Sequence, residues 1–298
     1  MSFVHLHVHT HYSILDGMSK VSALVDKCLK HNMPAIAMTD HGSMFGIKEF
    51  LDYVDKKNGG YKGEIKKLKE TLKEKSKEEA TSEQEEEVKQ LTQQIEELQQ
   101  KCFKPIVGVE AYCARRSLTK KELKEDGSGW HLVLLAKNKK GYQNLCKLVS
   151  KSWIDGYYYR PRIDKELLEQ YHEGLIVSSA CLGGEVPQKI MQGNIEGAEE
   201  AIMWFKNIWG DDFYLEVQRH ETYKPNADQT TYEKQKAVNE VIFQLAEKKR
   251  CRRGHLLHFS VRYHSTFSEY VTPKLSVTRI SPLRTPSLGL KRKRYSDL

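Results

Sequence analysis

The chain has 298 residues, and 39% of them are apolar, which is enough for one large domain or two ordinary ones. No apolar run is long enough for a membrane helix, and the N-terminus shows no secretory leader, so we expect neither a membrane nor a secreted protein. The six cysteines are scattered without a CxxC pair, which favours a reducing cytoplasm over a disulfide framework.

The net charge of +8 belongs to the last 49 residues. Residues 250–298 hold eleven Lys or Arg against two Asp or Glu, whereas residues 1–249 hold 37 basic and 38 acidic side chains. The body is therefore not a basic nucleic-acid-binding surface overall. The tail is rich in Ser, Thr, Arg and Pro and closes on a basic cluster, a composition typical of disorder. We expect a domain at 1–249 and a foreign tail, from a frame change or a truncated gene.

Histidines alternate with apolar residues at the start of the chain, from Phe3 to His11. In a strand, Val4, Leu6 and Val8 would face one way and the histidines the other. Several imidazoles on one face are typical of a metal site. The alternative is a solvated histidine face or an expression tag, but a tag would be a contiguous run.

Strands and helices alternate through the body. Periodicity predicts strands at 35–39, 105–112, 131–136, 175–179 and 213–217, and helices near 21–29, 47–54, 142–149, 195–205 and 238–245. Such alternation favours a parallel sheet or barrel, in which chemistry gathers at the carboxyl ends of the strands. Ligand-type residues stand at or just after strand ends, namely His9, His41, Glu110, Cys181 and His220. His131 is the exception, because it opens its strand.

Residues 58–101 interrupt this alternation. Two apolar stripes at helical spacing lie in a segment of Lys, Glu and Gln. We interpret the segment as a solvent-exposed antiparallel helical hairpin inserted in a loop. A tolerated insertion is favoured over a partner-binding arm.

Divalent cations that activate water for phosphate chemistry prefer imidazole and carboxylate ligands. The candidates are His7, His9, Asp16, His41, Glu110, His131, Cys181 and His220. One such residue alone is more typical of a hydrogen-bonded structural group. The argument rests on several strand ends in succession, each of which carries a ligand-type residue.

These residues also carry a family resemblance. His7-Val8-His9-Thr10, Thr39-Asp40-His41-Gly42 and Gly108-Val109-Glu110-Ala111-Tyr112 resemble the ordered motifs of the PHP (polymerase and histidinol phosphatase) superfamily. More narrowly, the sequence is similar to the amino-terminal domains of bacterial replicative DNA polymerase III alpha subunits, in segments 3–9, 12–17, 103–108, 131–137, 141–145 and 179–185. The resemblance covers roughly residues 1–249.

The resemblance implies a distorted (β/α)7 barrel that holds up to three divalent ions. Mixed imidazole, carboxylate and thiol ligands suit zinc or iron, and manganese tolerates them. Carried over residue by residue, the ligands would be His7, His9, Asp16, His41, Glu110, His131, Cys181 and His220. Asp16 would also orient the attacking water, and Asp40 would orient His41 without binding a metal ion itself. In family members that keep the cluster, the domain is associated with metal-dependent 3′–5′ exonuclease activity.

Two departures from the family pattern matter. No Asp stands two residues before His255, His258 or His264, so the final Asp-x-His ligand pair is missing. The polymerase palm, fingers and thumb are missing as well. We therefore expect a truncated fragment of a DNA-directed DNA polymerase, with DNA and other replicase subunits as partners, no membrane and no small organic cofactor. The alternatives are a stand-alone phosphatase acting on a small phosphate ester, or a non-catalytic module that docks through 58–101.

Overall fold

The computed structural model describes residues 3–76, 82–221, 228–248 and 256–259. Its helices are α1 Val21–Lys30, α2 Ile47–Lys75, α3 Ser82–Lys101, α4 Lys139–Ile154, α5 Lys165–Gln170, α6 Glu185–Met191, α7 Ile195–Trp209 and α8 Thr230–Lys248. Its strands are β1 Ala35–Met38, β2 Lys104–Ala114, β3 Gly129–Ala136, β4 Arg162–Ile163, β5 Leu175–Ser178, β6 Phe213–Gln218 and β7 Leu256–Phe259. The five predicted strands and five predicted helices are all present. The short elements β4, α5 and α6 lacked a periodic signal.

The strands form one mixed sheet in the order β1-β2-β3-β5-β6-β7, curled as a half-barrel. The long strand β2 pairs with β1 through its first half and with β4 near its end, both in parallel. The main core lies between this sheet and helices α4, α6, α7 and α8. A second core joins α1 and α2 to β1. This arrangement confirms a mixed α/β fold, while the count of seven β/α units stays a prediction.

The expectation of a parallel sheet is wrong for β3, which runs antiparallel to both β2 and β5. The reason is the connection between β2 and β3. Residues 115–128 contain only a single turn of 3-10 helix, at Lys124–Gly127, whereas a parallel return requires a crossover, usually through an α-helix. The reversal explains the exceptional histidine of the sequence. His131 opens β3, yet it pairs with Tyr112 near the carboxyl end of β2.

The predicted histidine strand at the N-terminus is only an extended segment. It joins β1 through one isolated bridge, His5 with Ile36, and through the bonds from Ala37 N to His5 O and from Thr39 N to Val8 O. The Thr39 hydroxyl then accepts the NH of Val8, at 2.7 Å, where a regular ladder would use a carbonyl. The alternation of faces nevertheless holds, since Leu6 and Val8 pack on apolar clusters.

The helix predicted near 47–54 and the first helix of the predicted hairpin are one element, α2, which continues through Gly59 and Gly60. Asn58 supports this stretch, because its buried amide donates to Phe103 O and accepts Phe103 N–H at the end of α3. An ion pair between Lys75 and Glu87 joins α2 to α3. The connection at 77–81 lies outside the described residues, so the inserted hairpin stays a prediction.

The predicted tail lies mostly outside the described residues. Its one described stretch, β7, pairs in parallel with β6 from Leu215–Leu256 to Gln218–Phe259. A strand therefore occupies a segment for which no regular structure was expected. The boundary at 249 stays a prediction. Among the described residues, no helix combines the length and apolarity needed to cross a membrane.

Arg162 of β4 is fully buried and fastens the connection between β2 and β3. Its guanidinium donates to the carbonyl oxygens of Leu118, Lys120 and Asp126, and also to that of Gly156, at 2.8–3.1 Å. A buried charge is tolerated only with such partners. One side chain thus holds a stretch of the 115–128 loop that has little regular structure of its own.

Replacing Arg162 with Met should destabilise the chain by at least about 3 kcal/mol, because four carbonyl oxygens lose a donor that is itself fully buried. The measurement is urea unfolding followed by circular dichroism. Arg160→Met is the matched control. Arg160 is exposed and its guanidinium lies over the ring of Tyr112, so the loss of its side chain should cost less than about 1 kcal/mol. Equal costs for the two variants would contradict this account of the loop.

Candidate metal centre

The carboxylate of Glu110 lies at the middle of β2 and is completely buried. Its Oε2 atom lies 3.0 Å from His7 Nε2, 2.5 Å from His9 Nε2 and 3.2 Å from His41 Nδ1. Three imidazoles predicted as ligands therefore converge on a single oxygen. The fold brings them together in two ways. The N-terminal segment, residues 3–10, runs beside β1, and His41 follows β1, which is the parallel neighbour of β2.

The other carboxylate oxygen, Oε1, is contacted by residues of β3 and of the segment after β5, which lie on the side of β2 away from β1. It accepts His131 Nδ1 at 2.8 Å and the Cys181 thiol at 3.5 Å. His131 lies on β3, and Cys181 follows β5. In addition, Cys181 Sγ lies 3.4 Å from His131 Nδ1. Two more predicted ligands therefore belong to the same cluster.

Two sets of donor atoms in the described residues are compact enough to hold a metal ion. One is His7, His9 and Glu110, and the other is His41, Glu110 and His131. Glu110 belongs to both sets, so it could bridge two ions. Imidazole with carboxylate suits zinc, iron or manganese, the metals expected from the sequence.

Asp16 reaches the cluster through His41. Its Oδ2 lies 3.0 Å from His41 Nε2, and its side chain is 41% exposed. The other ring nitrogen of His41, Nδ1, is buried and has no hydrogen-bond partner among the described residues. It lies 3.2 Å from Glu110 Oε2. A buried imidazole nitrogen beside a carboxylate oxygen, without a hydrogen bond between them, is an arrangement that a bound cation would satisfy.

Asp40 supports the loop that carries these groups and does not touch the imidazole of His41. Its carboxylate accepts the backbone NH and hydroxyl of Thr10 and the hydroxyl of Ser13. Ser13 Oγ then accepts the backbone NH of His41. The predicted orienting role of Asp40 therefore has a physical route through Ser13 to the His41 backbone.

His220 belongs to neither set of donor atoms in the described part of the chain. It follows β6, as expected, but Gln235 of α8 holds it. The backbone NH of His220 donates to Gln235 Oε1, and the Gln235 amide lies 2.5 Å from His220 Nδ1. Its ligand role stays a prediction.

Glu216 is a member of the site that the sequence reasoning missed. It is buried on β6, and its Oε1 accepts His7 Nδ1 at 2.7 Å and the Gln218 amide at 2.8 Å. Its Oε2 accepts the hydroxyl of Ser178 at 2.5 Å. The available signal was an acidic residue in the middle of the otherwise apolar strand Phe213–Val217, where a carboxylate is costly without partners.

The ionisation states follow from burial and from neighbouring charges. Burial opposes protonation of His7, but Glu110 and Glu216 outweigh it and hold the pKa of that imidazole well above its ordinary value. Burial would raise the pKa of the Glu110 carboxyl, yet the charge of His7 and the bonds from His131 and His9 hold it well below its usual range. The metal-free centre is therefore an imidazolium between two carboxylates.

His41 and Cys181 behave differently. Burial lowers the pKa of His41 to about 4, despite the attraction of Glu110, so this imidazole is neutral at physiological pH. Burial, together with the charge of Glu110, raises the pKa of the Cys181 thiol well above its ordinary value. A neutral imidazole is ready to bind a cation, whereas the thiol would lose its proton on coordination.

Comparison with known proteins places these residues in a family. A profile described as the PHP domain matches residues 5–220. A DNA polymerase III subunit alpha from Borreliella burgdorferi is 42% identical over 219 residues, which are 73% of this chain and 15% of that protein. The protein of the same name from Thermus aquaticus is 36% identical over 83% of the chain and 16% of its own length. The chain thus spans about one sixth of the curated relatives it matches.

Replacing Glu216 with Gln should weaken zinc or manganese binding by about 10- to 100-fold, because the carboxylate fixes the ring of His7 and makes it more basic. Competition with a chromophoric chelator measures the affinity. Glu166→Gln is the control, since Glu166 is exposed on α5 and should leave the affinity unchanged. An unchanged affinity in Glu216→Gln would separate Glu216 from the centre.

Proposed function

Since this chain belongs to the PHP domain family, we propose that it is a metal-dependent phosphoesterase that hydrolyses phosphodiesters at a DNA 3′ end. The observation that supports this most directly is the convergence of His7, His9, His41 and His131 on the buried Glu110 carboxylate. Divalent ions held by such residues activate a water and neutralise the phosphoryl oxygens. The buried Nδ1 of His41, which has no hydrogen-bond partner among the described residues, and the convergent imidazole and carboxylate donors fit such ions.

In this proposal the ligands are His7, His9, Asp16, His41, Glu110, His131, Cys181 and His220, as the resemblance implies. When an ion binds, His7 would release its Nε2 proton to solvent and would keep its Nδ1 proton, which it donates to Glu216. The Asp16 side chain is 41% exposed, whereas the described carboxylates of Glu110 and Glu216 are buried, so we assign to Asp16 the orientation of the attacking water.

The relatives named DNA polymerase III subunit alpha favour DNA over small phosphate esters as the substrate. We further propose that the chain is an amino-terminal PHP fragment of such a polymerase, with a domain at 1–249 and a tail that does not belong to it. In the parent protein, DNA and other replicase subunits would be its partners. The five described cysteines are free, which supports a cytoplasmic setting.

The 298-residue chain should release mononucleotides from the 3′ end of a single-stranded oligonucleotide in manganese or zinc. Substrates labelled at the 3′ and 5′ ends, resolved on a sequencing gel, give the direction. Histidinol phosphate is the competing substrate and should be turned over far more slowly. Faster turnover of histidinol phosphate would instead establish the stand-alone phosphatase.

Replacing Glu110 with Gln should lower the rate of hydrolysis by at least about 100-fold, because bound ions supply several kcal/mol of transition-state stabilisation. Gln has the same shape, so circular dichroism should show an intact fold. Glu166→Gln serves again as the control. If purified wild-type chain contains no zinc, manganese or iron and gains no activity from them, the non-catalytic module is the better account.

A further inference from the structure

Three exposed aromatic rings form a row on the surface beside the metal centre. Phe45, Trp153 and Tyr157 are 70%, 42% and 49% exposed, and we call this row the aromatic ladder. The rings of Phe45 and Trp153 lie 6.1 Å apart, and those of Trp153 and Tyr157 lie 5.7 Å apart and nearly parallel, at 18°. Neighbouring exposed rings leave apolar surface in contact with water and are typical of a surface that binds planar groups by stacking.

The aromatic ladder is tied directly to the metal centre. Trp153 stands near the end of α4, and its Nε1 donates to the carbonyl of Gly42 at 2.8 Å. Gly42 follows His41, whose Nδ1 faces Glu110. The middle ring of the ladder therefore contacts the residue that follows a predicted metal ligand.

Arg160 places a positive charge near the aromatic ladder, because the next residue, Pro161, lies against Gly42. Its guanidinium lies 5.6 Å from the ring of Tyr112, and that ring stacks on His41 at 5.7 Å and meets His131 edge-on at 5.2 Å. Arg160 pairs with no carboxylate in the part of the chain that the structure describes. An exposed guanidinium that only the Tyr112 ring separates from the histidines of the centre is well placed to bind a phosphate.

The neighbouring loop adds further positive charge. Residues 115–126 carry five basic side chains against three acidic ones, whereas the body as a whole is close to neutral. The loop adjoins the ladder, because Lys121 Nζ donates to the carbonyl of Asp155 and Arg162 binds the carbonyls of Leu118 and Lys120. Lysine is depleted at protein interfaces but common where a protein meets phosphates.

From these observations we propose that the aromatic ladder and Arg160 form a binding site for single-stranded polynucleotide. Bases stack on Trp153 and Tyr157, a backbone phosphate lies at Arg160, and the 115–126 loop attracts the strand. The assignment of the 3′ end to the Glu110 centre rests on the proposed function, whereas the binding itself does not. A protein segment as the occupant is the competing outcome, and the charge of the loop counts against it.

The test is the equilibrium binding of fluorescein-labelled dT12 to the 298-residue chain in EDTA, measured by anisotropy across a range of salt concentrations. Trp153→Ala and Tyr157→Ala should each weaken binding by about 5- to 100-fold, the usual cost of losing a stacked base. Trp153→Phe keeps a stacking face and should retain most of the affinity. Phe243→Ala is the control, because Phe243 is equally exposed, on α8.

Arg160→Ala should reduce the slope of log affinity against log salt by about 0.7, as expected for one lost contact to a single strand, whereas Arg160→Lys should keep the slope. Tyr157→Ala carries the test if Trp153→Ala does not fold. Wild-type affinity in the ladder variants would overturn the proposal and leave the rings to a protein partner. Because EDTA prevents hydrolysis, this assay measures binding apart from activity. Intact binding in EDTA, together with no nuclease activity in manganese or zinc, would count against the proposed function alone.

Discussion

A single carboxylate, buried and charged, is the constraint on which the centre of this molecule depends. Removing Glu110 from water carries a large cost unless every oxygen lone pair has a partner. Imidazoles from the N-terminal segment and from β3 supply those partners, together with the thiol after β5. Those groups are also good metal ligands. The interactions that make the burial of Glu110 tolerable in the metal-free chain are therefore the ones that prepare the site for cations.

The contacts of one side chain, His7, require the sheet to be curved. His7 touches Glu110 on β2 and Glu216 on β6, at 3.0 and 2.7 Å. In the sheet order, β3 and β5 stand between these two strands. Neighbouring strands lie about 4.8 Å apart, so in a flat sheet β2 and β6 would be about 14 Å apart. One imidazole can reach both carboxylates only if the sheet bends around it.

The 115–128 connection links the fold to both proposals. Because it is too short for a helical crossover, it reverses β3 and places His131 beside Tyr112. Because it has little regular structure, it depends on the buried Arg162. One of its basic side chains, Lys121, then lies beside the aromatic ladder at the carbonyl of Asp155. A change in this loop would therefore affect the metal centre, the stability of the chain and the surface where we place a polynucleotide.

The sequence by itself determined the main helices and strands, since their apolar periodicity reflects local backbone geometry, and it singled out the residues that converge on Glu110 by their chemical type. It did not determine the direction of β3, because hydrophobic periodicity is the same for either direction. It did not reveal Glu216, whose partners Ser178 and His7 lie 38 and 209 residues away in the chain. The aromatic ladder was likewise hidden, because Phe45 and Trp153 become neighbours only when α4 packs beside Gly42. Local patterning therefore specified the elements and their chemistry, while the pairing of distant residues, which only the folded sheet establishes, decided which of them share a site.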